Sequence, residues 1–352
     1  MHFSCSYQKI RLRFRSPAQT SRGIYENKIS WMLSLSDGES IGVGECSLLP
    51  GLSIDDRPDF ENRLDEFCRQ INSGFFPSEQ ELTEFPSIRF GIETALLDLH
   101  NGGKRILFPS EFISGKKSIP INGLIWMGDK QTMRRQITEK IDRGFSCLKL
   151  KIGALNWSDE REVLAEIRRQ FRRKDLTIRV DANGAYTFQK ATEVLSELAE
   201  MQVHSIEQPL PKGRWKEMAR LCREAPLPIA LDEELIGLFP RKKKEELLDT
   251  LHPPYLIIKP GLLGGFKEAE EWISLARERG IGWWATSALE SNIGLNAIAQ
   301  WTYMQNVTLH QGLGTGQLFT NNIDSPLALL GEHLYYLPQK EWGTYFPQET
   351  ED

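Results

Sequence analysis

Eight short apolar runs, each followed by a turn and about three turns of amphipathic sequence, recur between Ile119 and Gly312. The runs are Ile119 to Trp126, Cys147 to Ile152, Thr177 to Val180, His204 to Ile206, Ile229 to Leu231, Tyr255 to Ile258, Gly282 to Ala285 and Thr308 to Gly312. Amphipathic helices are expected over 130–143, 159–171, 187–200, 214–223, 241–248, 266–279 and 291–304. Parallel strands need a crossover between them, so repeated strand-helix units build a parallel sheet with its helices outside. Eight strands joined by seven helices predict an α/β chain closed into a TIM-like (β/α)7β barrel. The competing architecture, an open doubly wound sheet, is disfavoured because no Gly-x-Gly-x-x-Gly turn follows a first strand.

Before the repeats the texture differs. Ile29 to Leu35 and Ser40 to Gly44 read as strands joined at Asp37-Gly38, and 54–72 and 87–99 read as helices. The expected division is an α+β domain over 1–117, the barrel over 118–322, and a tail over 323–352 that returns to the N-terminal domain.

Partners are constrained by charge. With 43 Lys and Arg against 48 Asp and Glu in 352 residues, the net charge of -5 argues against a duplex nucleic-acid binder and leaves small molecules as the expected partners. Five scattered cysteines include no Cys-x-x-Cys pair, so reduced thiols are expected. Ile10, Leu12 and Phe14 alternate with Arg11, Arg13 and Arg15, which reads as a strand rather than a signal peptide. No run approaches the ~20 apolar residues that span a bilayer, so a cytoplasmic protein with no membrane partner is expected. Oligomeric state is not legible.

What sits where successive strands end is the chemically informative pattern. Lys151, Asp181, Glu207, Asp232 and Lys259 follow one another at spacings close to one strand-helix repeat. In a parallel barrel these ends converge on the top rim, so the five residues are expected around one pocket. Taken singly, the 181–184 segment reads as an Asx turn, and Glu207 or Asp232 as a helix cap. Three carboxylates on consecutive strand ends instead demand a cation, and an all-oxygen set without His or Cys favours Mg2+, with Mn2+ as a substitute. Lys149 and Lys151 share one face of their strand, while Leu148, Leu150 and Ile152 share the face that packs on helices. A lysine on each side of a metal suits removal of a proton α to a carboxylate through an enediolate.

These residues resemble the enolase superfamily, in its muconate-lactonizing enzyme subgroup, and the likeness extends to the run Gly42-Val43-Gly44-Glu45-Cys46 and to Leu48-Leu49-Pro50. The resemblance implies that the α+β part and the tail form a capping domain over the barrel. It implies Asp181, Glu207 and Asp232 as Mg2+ ligands, Lys151 as the acid/base lysine with Lys149 beside it, and Lys259 on the opposite face. Glu233 and Glu290 are expected to support this set from behind. The segments 287–294 and 312–316 resemble the seventh- and eighth-strand motifs of the dehydratases that form 2-succinylbenzoate in that subgroup, placing Ser287 and Gly312 against a succinyl arm. Asn183 and Arg179 are expected near the substrate, and Arg22, Gly23 and Tyr25 in a loop that closes over it.

The implied reaction is dehydration of 2-succinyl-6-hydroxy-2,4-cyclohexadiene-1-carboxylate to 2-succinylbenzoate in menaquinone biosynthesis. N-succinylamino acid racemisation or dipeptide epimerisation on the same scaffold is the alternative, and a barrel kept only for binding would not need two lysines facing three carboxylates. Two positions depart from the pattern. Glu234 stands where a Ser is usual, and Pro260-Gly261 follow Lys259. The basic run 241–244 reads as a solvated helix start, and Gly264-Gly265 as a tight turn that is also compatible with a phosphate cradle.

Overall fold

The computed structural model describes residues 2–20 and 23–344. Three antiparallel strands come first: β1 (Ser4–Thr20), β2 (Gly23–Ser36) and β3 (Ile41–Ser47), in the order β1-β2-β3. The expected turn after β2 forms because Asp37 Oδ1 accepts from the amides of Glu39 at 3.0 Å and Ser40 at 2.9 Å. Helices α1 (Phe60–Asn72), α2 (Glu79–Thr83) and α3 (Pro86–His100) cover this sheet. Trp31, Leu33 and Leu35 of β2 pack there with Leu64 and Phe67 of α1 and with Ile88, Ile92 and Ala95 of α3.

The helix expected from residue 54 starts only at Phe60. Pro58 disfavours helix at the residue before it, and Asp55 is committed elsewhere, its Oδ2 accepting from the Ser87 amide at 2.8 Å. Backbone contact between β3 and α3 accounts for glycine in the 42–44 run. A Cβ on Gly44 would stand 1.9 Å from the Gly91 carbonyl oxygen. Gly44→Ala is therefore expected to destabilise the fold by about 3 kcal/mol, the upper end of overpacking costs, read as a lowered urea midpoint.

The chain then enters the barrel through β4 (Ile119–Pro120), β5 (Gly123–Ile125) and α4 (Lys130–Asp142). There follow β6 (Cys147–Lys151), α5 (Trp157–Gln170), β7 (Thr177–Asp181), α6 (Phe188–Glu200), β8 (Ser205–Glu207), α7 (Trp215–Glu224) and β9 (Ile229–Leu231). The series ends with α8 (Arg241–Leu251), β10 (Tyr255–Ile258), α9 (Pro260–Leu263), α10 (Phe266–Glu278), β11 (Gly282–Ala285) and α11 (Asn292–Met304). Strands β5 to β11 form one parallel sheet in chain order. The eighth stave is shorter than the sequence suggests: only Gln311 and Gly312 pair, bridging Ile121 on one side and Thr286 on the other. Those bridges close the ring, with the Gln311 amide donating to Pro120 O at 2.8 Å and the Gly312 amide to Ala285 O at 2.7 Å.

The first expected run is divided. Ile119–Pro120 pairs antiparallel with β13 (His333–Tyr336), whose hairpin partner is β12 (Leu327–Leu330), and only β5 joins the barrel sheet. Just before that hairpin, the Arg15 amide donates to Leu318 O and the Thr320 amide to Arg13 O, both at 2.8 Å, which ties this stretch to β1. Leu148, Leu150, Ile178, Val180, Ile206 and Leu231 point outward into the main apolar core, so the alternate residues on these strands are left for the lumen. No helix among the described residues is long and apolar enough to cross a membrane.

Candidate active site

Register decides what meets inside the barrel. Lys151 pairs with Asp181 across β6 and β7, and Asp181 with Glu207 across β7 and β8, so their side chains rise side by side. Lys149 Nζ lies 2.9 Å from Asp181 Oδ2 and 2.6 Å from Glu207 Oε2. Lys151 Nζ donates to Asp181 Oδ2 at 2.6 Å and to Asn183 Oδ1 at 3.0 Å. Lys259 Nζ donates to Asp232 Oδ2 and stands 4.0 Å from Glu207 Oε1. Followed from contact to contact, Lys151, Asp181, Lys149, Glu207, Lys259 and Asp232 alternate an amine with a carboxyl, while in strand order the three carboxyls stand together between the lysines.

All six are buried or nearly so, and burial acts on the ionisation of Asp181, Glu207, Lys151 and Lys259. It works to raise Asp181, but the ammonium groups of Lys149 and Lys151 outweigh it and hold the carboxyl well below the usual range. Glu207 is pushed up to about 8, by burial first and then by the Asp181 charge. Burial pulls the Lys151 ammonium down and the neighbouring Lys149 adds to this, against the pull of Asp181. Lys259 goes the other way, because Asp232 and Glu207 overcome its burial.

Among the described residues no three acidic, His or Cys side chains stand close enough together to enclose an ion, since lysine ammonium groups lie between the carboxylates. The donor set nonetheless fits a hard divalent cation. Its candidate ligands are carboxylate oxygens on three consecutive strands, and the buried Glu207 Oε1 has no hydrogen-bond partner.

Lys149, Lys151, Asn183 and Lys259 lie at a cavity of about 760 Å³, counted with its open mouth. Ser287 and Gly312 line it too, with Ser287 Oγ 2.6 Å from Thr315 Oγ1. A Cβ on Gly312 would come 2.6 Å from Thr286 Oγ1, so the two rims touch through glycine. Asn183 Nδ2 donates to Glu233 Oε1 at 3.3 Å, which places Glu233 directly behind it. Glu290 sits behind the seventh-strand loop, where its Oε2 accepts from the Ala288 amide at 2.6 Å. Arg179 does not line the cavity. It occupies the layer below, its guanidinium 4.0 Å over the Trp284 ring and Nη1 donating to His310 O at 2.7 Å. Arg22 lies outside the described residues, whereas Tyr25 lines the cavity.

Sequence reasoning passed over several wall residues. Asn122, Leu124 and Trp126 all line the cavity, and their two-residue spacing along one run was the available signal. Glu234 proves to be a strut: it accepts from Trp215 Nε1 at 3.0 Å and from Gln208 Nε2 at 3.3 Å, and Gln208 Oε1 in turn accepts from the Asp232 amide at 3.2 Å. Nothing on the outside of β9 announces that connection, because it depends on the loop after β8 folding back.

Known proteins match this chain along nearly its whole length. Residues 132–334 match the family described as enolase C-terminal domain-like. The o-succinylbenzoate synthase of Desulfotalea psychrophila (strain LSv54) is 46% identical over 357 aligned residues, covering 93% of this chain and 97% of that protein. The crystal structure of MenC from Desulfotalea psychrophila LSv54 superposes with a TM-score of 0.85 at 43% identity, over 95% of this chain and 100% of that one. The dipeptide epimerase from Enterococcus faecalis V583, solved with Mg and the dipeptide L-Leu-L-Tyr, shares the fold at a TM-score of 0.79 and 19% identity, over 95% of this chain and 97% of that one. The matched span, the close relative and the barrel with its N-terminal sheet agree, and the chain belongs to the enolase superfamily.

Proposed function

We propose that this chain is an o-succinylbenzoate synthase, catalysing the Mg2+-dependent syn-dehydration of 2-succinyl-6-hydroxy-2,4-cyclohexadiene-1-carboxylate to 2-succinylbenzoate in menaquinone biosynthesis. The observation that carries the reading is the contact chain Lys151, Asp181, Lys149, Glu207, Lys259 and Asp232, whose three lysines line one cavity, in a chain 46% identical to a synthase of that name. In this reading residues 1–117 and the tail after 322 form the cap, and 118–322 the catalytic barrel.

Asp181, Glu207 and Asp232 would hold the Mg2+. When bound, it supplies positive charge against the substrate carboxylate, where negative charge builds as the α proton leaves. Neutral Lys151 Nζ takes that proton, and the C–H electron pair is delocalised into an enediolate. The resulting ammonium returns the proton to the hydroxyl leaving from the same face, so a C–O bond breaks, water departs and the ring becomes aromatic. Lys259, held by Asp232, presents its charge to the opposite face of the ring. Lys149 takes no proton in this scheme; bonded to both Asp181 and Glu207, it fixes their spacing. Ser287, Gly312 and Asn183 contact the substrate, with the apolar Leu49, Leu52 and Trp126 excluding water around it.

The test is a parallel assay of dehydration and of N-succinylamino acid racemisation on the purified protein, with Mg2+ and after chelation. Dehydration is expected to be the faster reaction, to stop on chelation and to return with Mg2+. Racemisation outpacing dehydration, or dehydration indifferent to chelation, would contradict the assignment.

A further inference from the structure

Lys28 belongs to the N-terminal sheet, on β2, yet its ammonium reaches the barrel. Its Nζ donates to Ala288 O at 3.0 Å and to Ser47 Oγ of β3, and the residue is only 3% exposed. An ammonium taken out of water is unfavourable unless paired and hydrogen-bonded, so this placement calls for a physical reason. Burial pulls that ammonium down, and two buried carboxyls nearby, Glu290 and Glu45, act against it. Both also hold the same piece of barrel. Glu45 Oε1 accepts from the Ser291 amide at 2.9 Å and its Oε2 from the Gly294 amide at 2.9 Å, at the start of α11. Glu290 Oε2 accepts from the Ala288 amide.

The segment between β11 and α11 is therefore held at its middle by Lys28 and at its far end by Glu45. That segment supplies Thr286, Ser287, Ala288 and Leu289 to the cavity wall. It carries strain: Leu289 has a φ of +62°, a left-handed conformation that a Leu side chain resists. The strain persists only where surrounding bonds fix it. One of those bonds comes from β2, five residues beyond the cap end of that strand at Gly23.

We propose that Lys28 is a positioning residue for the substrate: by holding the Ala288 carbonyl it fixes the Ser287–Leu289 wall against the cap, and so sets substrate affinity. Lys28 is not itself a lining residue of the cavity. The reacting side chains stand on β6 to β10 and just beyond them, where strand pairing fixes them without its help. Its effect belongs in KM rather than in the proton-transfer step. The proposal rests on the reading of this cavity as the substrate site.

The experiment compares wild type, Glu290→Gln, Lys28→Met and the Lys28→Met/Glu290→Gln double variant, which removes one buried cationic and one buried acidic group together so that the fold is kept even where the single Lys28 variant fails to fold. Going from Glu290→Gln to the double variant, KM for the dehydration substrate is expected to rise about tenfold with kcat changed by less than about threefold. Amide hydrogen exchange over 287–290 is expected to accelerate while exchange in α1 stays as it was. A folded double variant that keeps the KM and the exchange rates of Glu290→Gln would overturn the positioning role, as would a fall in melting temperature alone. Should wild type show no dehydration, the functional reading fails by itself. The exchange arm then decides for Lys28: acceleration over 287–290 supports its hold on the wall, and none refutes it.

Discussion

Lys151→Ala is expected to lower kcat for dehydration by about a thousandfold or more, within the range for losing a positioned general base. The expectation follows from where the ammonium sits. Lys151 Nζ lies at the open face of the charged row, bonded to Asp181 and Asn183 and lining the cavity, whereas Lys149 is locked between two carboxylates and cannot take its place. Truncation leaves space facing the cavity rather than a void in the apolar core, so folding should be little affected. Cation binding should also survive, since no carboxylate is lost and one competing positive charge is gone. Steady-state turnover and calorimetric titration with Mg2+ check the two halves. Activity above a few per cent of wild type would remove Lys151 from the base role.

The second large effect is expected at Asp181→Asn, which keeps the shape of the side chain and removes its charge. Asp181 Oδ2 lies within 2.9 Å of both Lys149 and Lys151, so its carboxylate neutralises two ammonium groups besides serving as a candidate ligand. Neutralising it both removes an anionic donor and leaves those ammonium groups less compensated, and the two effects act in the same direction on a divalent cation. Mg2+ affinity should fall by on the order of a hundredfold or more, beyond what the loss of a group merely supporting a ligand costs. Activity measured against Mg2+ concentration gives the answer, and an unchanged requirement would contradict the ligand role.

Much of this was readable before any coordinates because one repeat carries both fold and site. An outward Leu148, Leu150, Ile178 and Val180 makes the strands, and the same two-residue period turns Lys149, Lys151 and Asp181 inward. What escaped reading depends on contacts between distant segments. Arg179 has the right face but the wrong height: two residues before Asp181, it falls below the cavity against Trp284. The eighth stave shrinks to Gln311 and Gly312 because its bonds go to residues more than a hundred positions away on one side and to Thr286 on the other. Helix α1 starts late because Asp55 is needed at the head of α3. Lys28 precedes the strand expected from Ile29, and nothing in its neighbours tells that the barrel loop lies against it. None of these has a local signature, since each is settled by packing between parts of the chain that no periodicity connects.

Asp181, Glu207 and Asp232 are expected to serve a single ion. Anomalous diffraction from a crystal soaked in Mn2+ measures this directly. One strong peak is expected, about 2 Å from an oxygen of each of the three carboxylates, with Lys149 and Lys259 moved off the ligand oxygens. A peak that contacts fewer than two of them, or one bound elsewhere in the molecule, would contradict the account.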